Sequence, residues 1–214
     1  GCTFTSNTAT TDIDNADSFG GAICVKGGDV SIDGATFTGN TAQNYGGAVH
    51  ASGVEISIKN SSFTGNNCAC GGALSNEIGV MIVDGCSFKE NGSVSKAGMG
   101  GAIVSYDQYP KAVYPIGSET IKNQHASVQS GKIATLYVYN SSFDGNFYYE
   151  DITVETDKSG TAGQGAAIQI HGLGKMAAVN CTFANHIGSY GGIVRCRASA
   201  ASPLRGVRSA ESLP

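Results

Sequence analysis

Three aspartates near the start of the chain are the residues best suited to holding a metal ion. Asp12, Asp14 and Asp17 lie in the segment TDIDNADS, residues 11–18. Carboxylate oxygens are the ligands that calcium prefers, but the spacing differs from that of an EF-hand loop, and the loop's closing glutamate is missing. We therefore predict a solvated acidic loop here, with a calcium site as the alternative, and no cofactor for the chain.

The histidines and cysteines show no spacing typical of a metal or catalytic site. The histidines fall at unrelated positions: His50, His125, His171 and His186. Seven cysteines leave at least one unpaired, and their spacing forms no disulfide framework. Cys68 and Cys70 could pair with a distant cysteine only if the fold brings the two close. The candidates for such a partner are Cys24 and Cys196.

A phenylalanine preceded by Ser or Thr recurs six times, at Phe4, Phe37, Phe63, Phe88, Phe143 and Phe183. An asparagine follows three residues after each of the first five, at Asn7, Asn40, Asn66, Asn91 and Asn146. In the sixth copy, FANH, His186 takes that place, and we predict a structural hydrogen bond for it. The position three residues before each Phe holds only Gly or Asn, and the next position holds a small residue.

A second motif, GGA followed by an aliphatic residue or a close variant of this, alternates with the first. Its copies begin at Gly20, Gly46, Gly71, Gly100, Gly165 and Gly191. The first three copies are 26 and 25 residues apart, and the same spacings separate Phe37, Phe63 and Phe88. Two motifs that keep one period indicate that each period is one structural unit.

Each period is predicted to form short β-strands joined at sharp corners. The segments VSIDG and VEISIKN alternate apolar and polar residues with period two. The Gly or Asn at their ends tolerates a left-handed backbone. One such unit cannot bury its own apolar face, but stacked units can. We therefore predict an all-β, right-handed parallel β-helix of about six coils over residues 1–196, with phenylalanines stacked in its core and a ladder of asparagine amides.

The paired GGA[ILV] and FxxN motifs resemble the repeats of the chlamydial polymorphic outer-membrane proteins. The resemblance covers essentially residues 1–196, with five clean FxxN copies. In that family the repeats build an extracellular β-helical module that serves in adhesion. The resemblance therefore implies an adhesive module located outside the cell or at its surface.

Two insertions interrupt the period, at about residues 106–132 and 147–162. Tyrosines concentrate in and beside them: Tyr106, Tyr109, Tyr114, Tyr148 and Tyr149. Insertions in solenoids form loops at a corner, often on the binding face, and tyrosine is a favoured contact residue. Two interpretations stay open, ligand binding by these loops and packing of the aromatic rings against the wall, and we favour packing.

Four Asn-X-Ser/Thr sequences are candidate glycosylation sites. They begin at Asn60, Asn91, Asn140 and Asn180. Three of these asparagines also occupy the Gly/Asn corner position of the repeat. The predicted fold alone therefore accounts for the residue type at those three positions.

Composition and outward-facing residues narrow the function classes. The formal net charge is -4, no Lys/Arg cluster indicates a nucleic-acid groove, and no apolar run reaches the roughly 20 residues of a membrane helix. Polysaccharide-cleaving enzymes use the same architecture with Asp or Lys/Arg clustered on an outward wall. The residues after each Phe form no such cluster: Thr5, Thr38, Thr64, Lys89, Asp144 and Ala184. We predict a non-catalytic extracellular structural or adhesive module of a larger surface protein. The alternatives are a subunit of an extracellular filament or large complex, and a polysaccharide-active lyase or hydrolase.

The expected partners are other subunits or further coils of a parent chain, stacked end to end, and a host-cell or glycan ligand. Residues 1–4 have the pattern of an interior coil, and a coil without a neighbour exposes unpaired backbone groups. Residues 197–214 lack the alternating pattern and are predicted to be a tail or linker. We therefore expect the isolated chain to self-associate.

Overall fold

The computed structural model describes residues 1–10, 18–93, 99–107, 133–148, 165–188 and 192–197. Every regular element among these residues is a β-strand, and each strand pair is parallel. The molecule is a parallel β-helix, as the sequence predicts. The described residues include no helix of the length and hydrophobicity that a membrane span requires.

Three sheets run along the solenoid; two take one strand from each of the six coils, and the third takes one strand from each of the first five. The phenylalanine sheet consists of Thr3–Thr5, Thr36–Thr38, Ser62–Thr64, Ser87–Lys89, Ser142–Asp144 and Thr182–Ala184. The glycine-motif sheet consists of Ile23–Val25, Val49–Ser52, Leu74–Glu77, Ile103–Tyr106, Ile168–His171 and Val194–Arg197. The five-stranded sheet consists of Val30–Asp33, Glu55–Lys59, Val80–Asp84, Thr135–Tyr139 and Lys175–Val179. Two short pairs complete the coils, Thr8–Ala9 with Thr41–Ala42 and Gly92–Ser93 with Phe147–Tyr148.

The core lies between the three sheets and is built from columns of identical or similar side chains. The six motif phenylalanines stack ring on ring, with centroids 4.7 to 4.9 Å apart and ring planes within 9° of parallel. Phe37, Phe63, Phe88 and Phe143 are fully buried, while Phe4 and Phe183 at the two ends of the column are half-buried. The predicted interior column is therefore confirmed.

The corners carry backbone angles that explain the Gly/Asn restriction. At the corner that precedes each phenylalanine strand, φ is positive in all five coils for which we predicted it: Gly34, Asn60, Gly85, Asn140 and Asn180. The left-handed region costs a residue with Cβ about 1–2 kcal/mol, and Gly and Asn bear it best. The corner prediction is confirmed.

The second glycine of the first four GGA motifs is required by close packing between coils. A Cβ added at Gly47 would collide with the carbonyl oxygen of Gly72, and one at Gly72 would collide with that of Gly101. A side chain at either position would push these neighbouring coils apart, whereas the fifth copy of the motif holds Ala166 at the equivalent position. Gly-Gly therefore fixes the spacing of the coils at this corner.

The strands extend further than the predicted insertion boundaries. Tyr106 closes the strand Ile103–Tyr106, and Phe147–Tyr148 is itself a strand. The first residues of both predicted insertions thus belong to the solenoid wall. Residues 108–132 and 149–162 of the insertions, and residues 198–214 of the predicted tail, lie outside the described residues.

Candidate functional site

The asparagine ladder is a continuous chain of amide hydrogen bonds along one corner of the solenoid. The Nδ2 group of Asn40 donates to Oδ1 of Asn66 at 2.9 Å, and the backbone N–H of Asn40 donates to the same oxygen at 2.9 Å. Nδ2 also donates to the carbonyl oxygen of Phe4 in the preceding coil, at 3.0 Å. The pattern repeats at Asn66 and Asn91, so these side chains are structural.

His186 ends the described part of this ladder. Its Nδ1 atom lies 3.1 Å from the carbonyl oxygen of Asn146, in the place that the next asparagine would take. The predicted structural hydrogen bond is therefore present. At the ladder corner of this coil, the residue with a positive φ is Asn185, directly before the histidine.

The candidate glycosylation sites divide into one buried and three exposed asparagines. Asn91 is fully buried within the ladder, so its amide is inaccessible in the folded chain and the prediction is wrong for this site. Asn60, Asn140 and Asn180 are exposed at one corner. Their Nδ2 groups already donate to neighbours in the preceding coil, namely Asp33, Asp84 and Asn140 respectively.

The outer face of the glycine-motif sheet is covered by a second column of large side chains. These side chains immediately precede the GGA motifs, pair by parallel bridges from coil to coil, and are Phe19, Tyr45, Cys70 and Met99. Tyr45, Cys70 and Met99 cluster with Val104 and Tyr106, and Phe19 packs against them. The repeats did not lead us to predict this column, although an apolar or aromatic residue precedes five of the six motifs.

The insertion tyrosines that the structure describes are buried. Tyr106 and Tyr148 are 0% and 2% exposed, so neither can contact a ligand in the folded chain, and a binding role for these two is withdrawn. The burial of both rings agrees with the interpretation that the insertion tyrosines pack against the solenoid wall. Tyr109, Tyr114 and Tyr149 lie outside the described residues.

A serine, a histidine and a glutamate meet beneath this covering column. His50 Nδ1 lies 2.7 Å from Ser75 Oγ, and His50 Nε2 lies 3.5 Å from Glu77 Oε2. Serine hydrolases use the same three residue types. His50 and Ser75 are completely buried, however, so a substrate has no access to the hydroxyl. We interpret the three as a buried polar cluster that joins two coils.

The seven cysteines are free thiols, and three of them are buried. Burial raises the pKa of the Cys68 thiol to about 12 and that of the Cys86 thiol to about 11. The Cys68 Sγ–H donates to the carbonyl oxygen of Cys70 at 2.9 Å. Such thiols behave as small apolar side chains and not as nucleophiles.

Metal-binding candidates are limited to residues that the structure leaves undescribed. Within the described ranges, no group of three or more His, Cys, Asp or Glu side chains could hold an ion. Asp12, Asp14 and Asp17 lie outside those ranges. The predicted acidic loop and its calcium alternative therefore stay predictions.

The outer face of the phenylalanine sheet is polar. The residue before each motif phenylalanine carries a hydroxyl in all six coils: Thr3, Thr36, Ser62, Ser87, Ser142 and Thr182. The residue after it is exposed or half-buried and varies from Thr5 and Thr38 to Lys89, Asp144 and Ala184. This wall forms a hydrated surface without a carboxylate cluster.

The outer face of the five-stranded sheet is less polar than that of the phenylalanine sheet, because aromatic and aliphatic side chains line its later strands. Register pairs Ile82 with Tyr137 and Tyr137 with Ala177 in one row, and Tyr139 with Val179 in the next. Tyr137 is 37% exposed and Val179 is 56% exposed. We call these five residues the tyrosine face. The two tyrosine rings lie 6.3 Å apart with planes 6° from parallel.

A row of polar side chains borders the tyrosine face at the corner. Asp84 is the register neighbour of Tyr139. Asn140 donates from Nδ2 to Asp84 Oδ1 at 2.8 Å, and Asn180 donates from Nδ2 to Asn140 Oδ1 at 2.7 Å. Exposed aromatic rings thus adjoin a chain of carboxamide and carboxylate groups held in fixed positions. We call Asp84, Asn140 and Asn180 the corner row.

Comparison with protein families gives a match at the start of the chain. The model of the Chlamydia polymorphic membrane protein repeat matches residues 1–26 and 34–52. The predicted resemblance is confirmed. No curated protein matches the chain, and no solved structure does either.

The matched segments lie in the first two coils of the solenoid. They hold two copies of the phenylalanine motif of the polymorphic membrane protein repeat, with Phe4 and Phe37, and two GGA copies, at Gly20 and Gly46. The phenylalanine strands of the later coils stack on these two in register, with a phenylalanine at the centre of each strand. The tyrosine face lies in later coils, outside the matched segments.

Proposed function

We propose that the chain is a non-catalytic adhesive β-helix module of a larger cell-surface protein, and that the tyrosine face is its contact surface. The observation that carries the proposal is this exposed aromatic face on a wall whose backbone is hydrogen-bonded from coil to coil. Aromatic residues are enriched where proteins contact partners. The similarity to a Chlamydia membrane protein repeat supports the surface location.

The rigidity of the wall favours recognition without rearrangement. Tyr137 and Tyr139 lie on a central strand that pairs on both sides, with Val80–Asp84 and with Lys175–Val179. A preformed surface loses little conformational entropy when a partner binds. The face is therefore ordered before contact, as an adhesive surface requires.

The buried state of the serine–histidine–glutamate cluster supports a role without catalysis. A nucleophile has to reach the atom that it attacks, and Ser75 is fully enclosed. The buried thiols of Cys68 and Cys70 are likewise withdrawn from solvent. We assign these polar groups to the stability of the coil stack.

Binding of the labelled full chain to a panel of cultured cells tests the adhesive proposal. The double variant Tyr137→Ser/Tyr139→Ser should lose most of its cell binding. The control variant Thr36→Ala/Thr38→Ala, on the phenylalanine sheet, should bind as the unaltered chain does. Absence of cell binding by the unaltered chain, or equal binding by all three proteins, contradicts the proposal.

A filament subunit is the second candidate, favoured by apolar side chains exposed in the last described coils. Ile187 is 67% exposed and Leu173 is 43% exposed. Single exposed apolar residues are ordinary, but several at one end of a rod favour a contact there. Electron micrographs of native material would show filaments if this candidate is right.

A further inference from the structure

We propose that the tyrosine face and the corner row together form a binding site for a neutral oligosaccharide. The inference rests on the proposed adhesive function and gives that function a ligand class. A sugar ring presents apolar C–H groups on its faces and hydroxyls around its edge. A site for it therefore needs an aromatic surface beside fixed polar groups, and both occur together here.

The aromatic half of the site is Tyr137 with Tyr139. The face of an aromatic ring is the negative end of its quadrupole, so it attracts the slightly positive hydrogens of sugar C–H bonds. Ala177, the register neighbour of Tyr137 in the next coil, is small and leaves room beside the ring. The 37% exposure of Tyr137 is consistent with that open side.

The polar half of the site is the corner row. Asp84 and Asn140 are linked at 2.8 Å, and Asn140 and Asn180 at 2.7 Å. A carboxylate keeps acceptor capacity after accepting one hydrogen bond, and a carboxamide offers two donors and two lone pairs. The row therefore retains donors and acceptors for sugar hydroxyls, and its internal hydrogen bonds fix their directions.

The size of the face favours an oligosaccharide over a protein partner. Three strands at about 4.8 Å spacing and five residues at about 3.3 Å rise give a surface on the order of 200 Å². A specific protein interface takes about 800 Å² from each partner. The site is thus too small for a stable protein contact and matches a short glycan.

Local charge favours a neutral ligand. Among the register neighbours of Tyr137 and Tyr139, Asp84 is the one charged residue. The lysines of these strands are farther from the two tyrosines than Asp84 is. Lys59 is the register neighbour of Asp84 on the side away from Tyr139, and Lys175 is the register neighbour of Thr135. An acidic glycan or a phosphate would approach the carboxylate first, which is unfavourable.

Calorimetric titration of the intact chain tests the inference. The probes are cellohexaose, chitohexaose and mannohexaose as neutral glycans, with a heparin hexasaccharide as the acidic comparison. We expect saturable binding of at least one neutral probe at micromolar to millimolar concentration. Tyr137→Ala/Tyr139→Ala should weaken that binding by about ten-fold or more, while Tyr137→Phe/Tyr139→Phe keeps the rings and should stay within about two-fold.

Two further variants separate loss of the site from loss of the fold. Asp84→Ala should weaken binding of the same probe, whereas Thr36→Ala on the phenylalanine sheet should not. Each variant is compared with the unaltered chain by its circular dichroism spectrum and urea midpoint. If the variant Tyr137→Ala/Tyr139→Ala does not fold, the single variant Tyr137→Ser takes its place, because it removes one ring only.

The inference is overturned if no neutral hexasaccharide binds, if the double alanine variant binds as well as the unaltered chain, or if heparin hexasaccharide binds more tightly. Cell binding that depends on the tyrosines but survives enzymatic removal of cell-surface glycans also overturns it. In that case the adhesive proposal stands with a protein partner. Glycan binding in calorimetry without any binding to cells contradicts the adhesive proposal and leaves the glycan site intact.

Discussion

Each interior asparagine of the ladder uses the full hydrogen-bonding capacity of its amide. Both Nδ2 protons of Asn40 are donated, to Phe4 O and to Asn66 Oδ1. Its own Oδ1 accepts from the Nδ2 and the backbone N–H of Asn7. Aspartate has the acceptors but no donor, and serine has one donor. The chemistry of the amide therefore explains why this position holds Asn in five coils.

Asn66→Ala should lower the free energy of unfolding by about 3 kcal/mol or more. The change leaves buried groups on Asn40, Asn91 and Phe37 without their partners, and each such group costs about 1–3 kcal/mol. Urea unfolding measures the loss. Asn7→Ala is the matched control, since Asn7 is exposed and should cost much less. Equal losses would contradict the structural role of burial in the ladder.

Phe63→Ala should cost about 3–5 kcal/mol, the range for removing a buried aromatic ring. Phe63 is 0% exposed and stacks between Phe37 and Phe88 at 4.8 and 4.9 Å. Phe4→Ala gives the comparison, because Phe4 is half-buried and stacks on one side only. Thermal or urea unfolding should rank the two variants in that order, and the reverse order would contradict the column.

Alkylation of the native chain by iodoacetamide should distinguish buried from exposed thiols. Cys68, Cys70 and Cys86 are buried, and burial raises their pKa, so the reactive thiolate is scarce at neutral pH. Cys2, Cys24 and Cys196 are exposed and should react first. Peptide mass mapping identifies the modified residues, and denaturation in urea should open all seven. Early modification of Cys68 in the native chain would contradict its burial.

At the scale of elements, the coils that begin at Gly34, Asn60 and Asn140 each contain four residues with positive φ, and the sequence predicted one of these corners. The sequence predicted the Gly/Asn corner before the phenylalanine strand, because only those residue types occur there. It did not predict the corner before the ladder asparagine, where Ser6, Gly39 and Glu90 share a positive φ. The residue types at that corner differ, but the backbone N–H of each of the three donates to a carbonyl oxygen of the following coil.

Two features could not be predicted from the sequence repeats. They are the column of side chains before the GGA motifs and the tyrosine face. The phenylalanine and asparagine columns could be predicted because each position repeats one residue type. Tyr137 aligns with Ile82 and Ala177, three different residues separated by two insertions. Only the three-dimensional register shows that these side chains share one surface.

Ile78 occupies a corner at which a branched side chain is strained. Its φ is 45°, and Gly53 and Gly172 hold positive φ at the equivalent corner of other coils. Ile78→Gly should therefore be neutral or stabilising by up to about 1 kcal/mol, because relief of about 1–2 kcal/mol of strain exceeds the entropy cost of Gly. Urea unfolding measures the change.

Ile82→Gly is the control for that prediction, since Ile82 lies within the strand Val80–Asp84. It should destabilise the chain, because glycine weakens a strand interior and leaves no side chain to pack. A clear loss of stability in Ile78→Gly would mean that the Ile78 side chain contributes more by packing than its backbone loses.

At the scale of the whole molecule, we expect the isolated chain to self-associate through its later coils. Leu173 and Ile187 are exposed there, alongside Val179 of the tyrosine face. Sedimentation velocity should show a coefficient that rises with concentration. Leu173→Lys/Ile187→Lys should reduce the rise, because charged side chains at such positions oppose association. A single species at all concentrations would contradict the expectation.

The one-way order of the asparagine ladder gives the rod a polarity. Asn7 donates to Asn40, and Asn40, Asn66 and Asn91 each accept from the asparagine of the coil before and donate to the asparagine of the coil that follows. A twofold axis between two copies would oppose two donors or two acceptors. Copies that prolong the ladder must therefore join head to tail, and a heterologous contact that repeats along the axis of the rod extends it without closing a ring. Any assembly built on this ladder grows as an open, directional polymer whose two ends differ chemically.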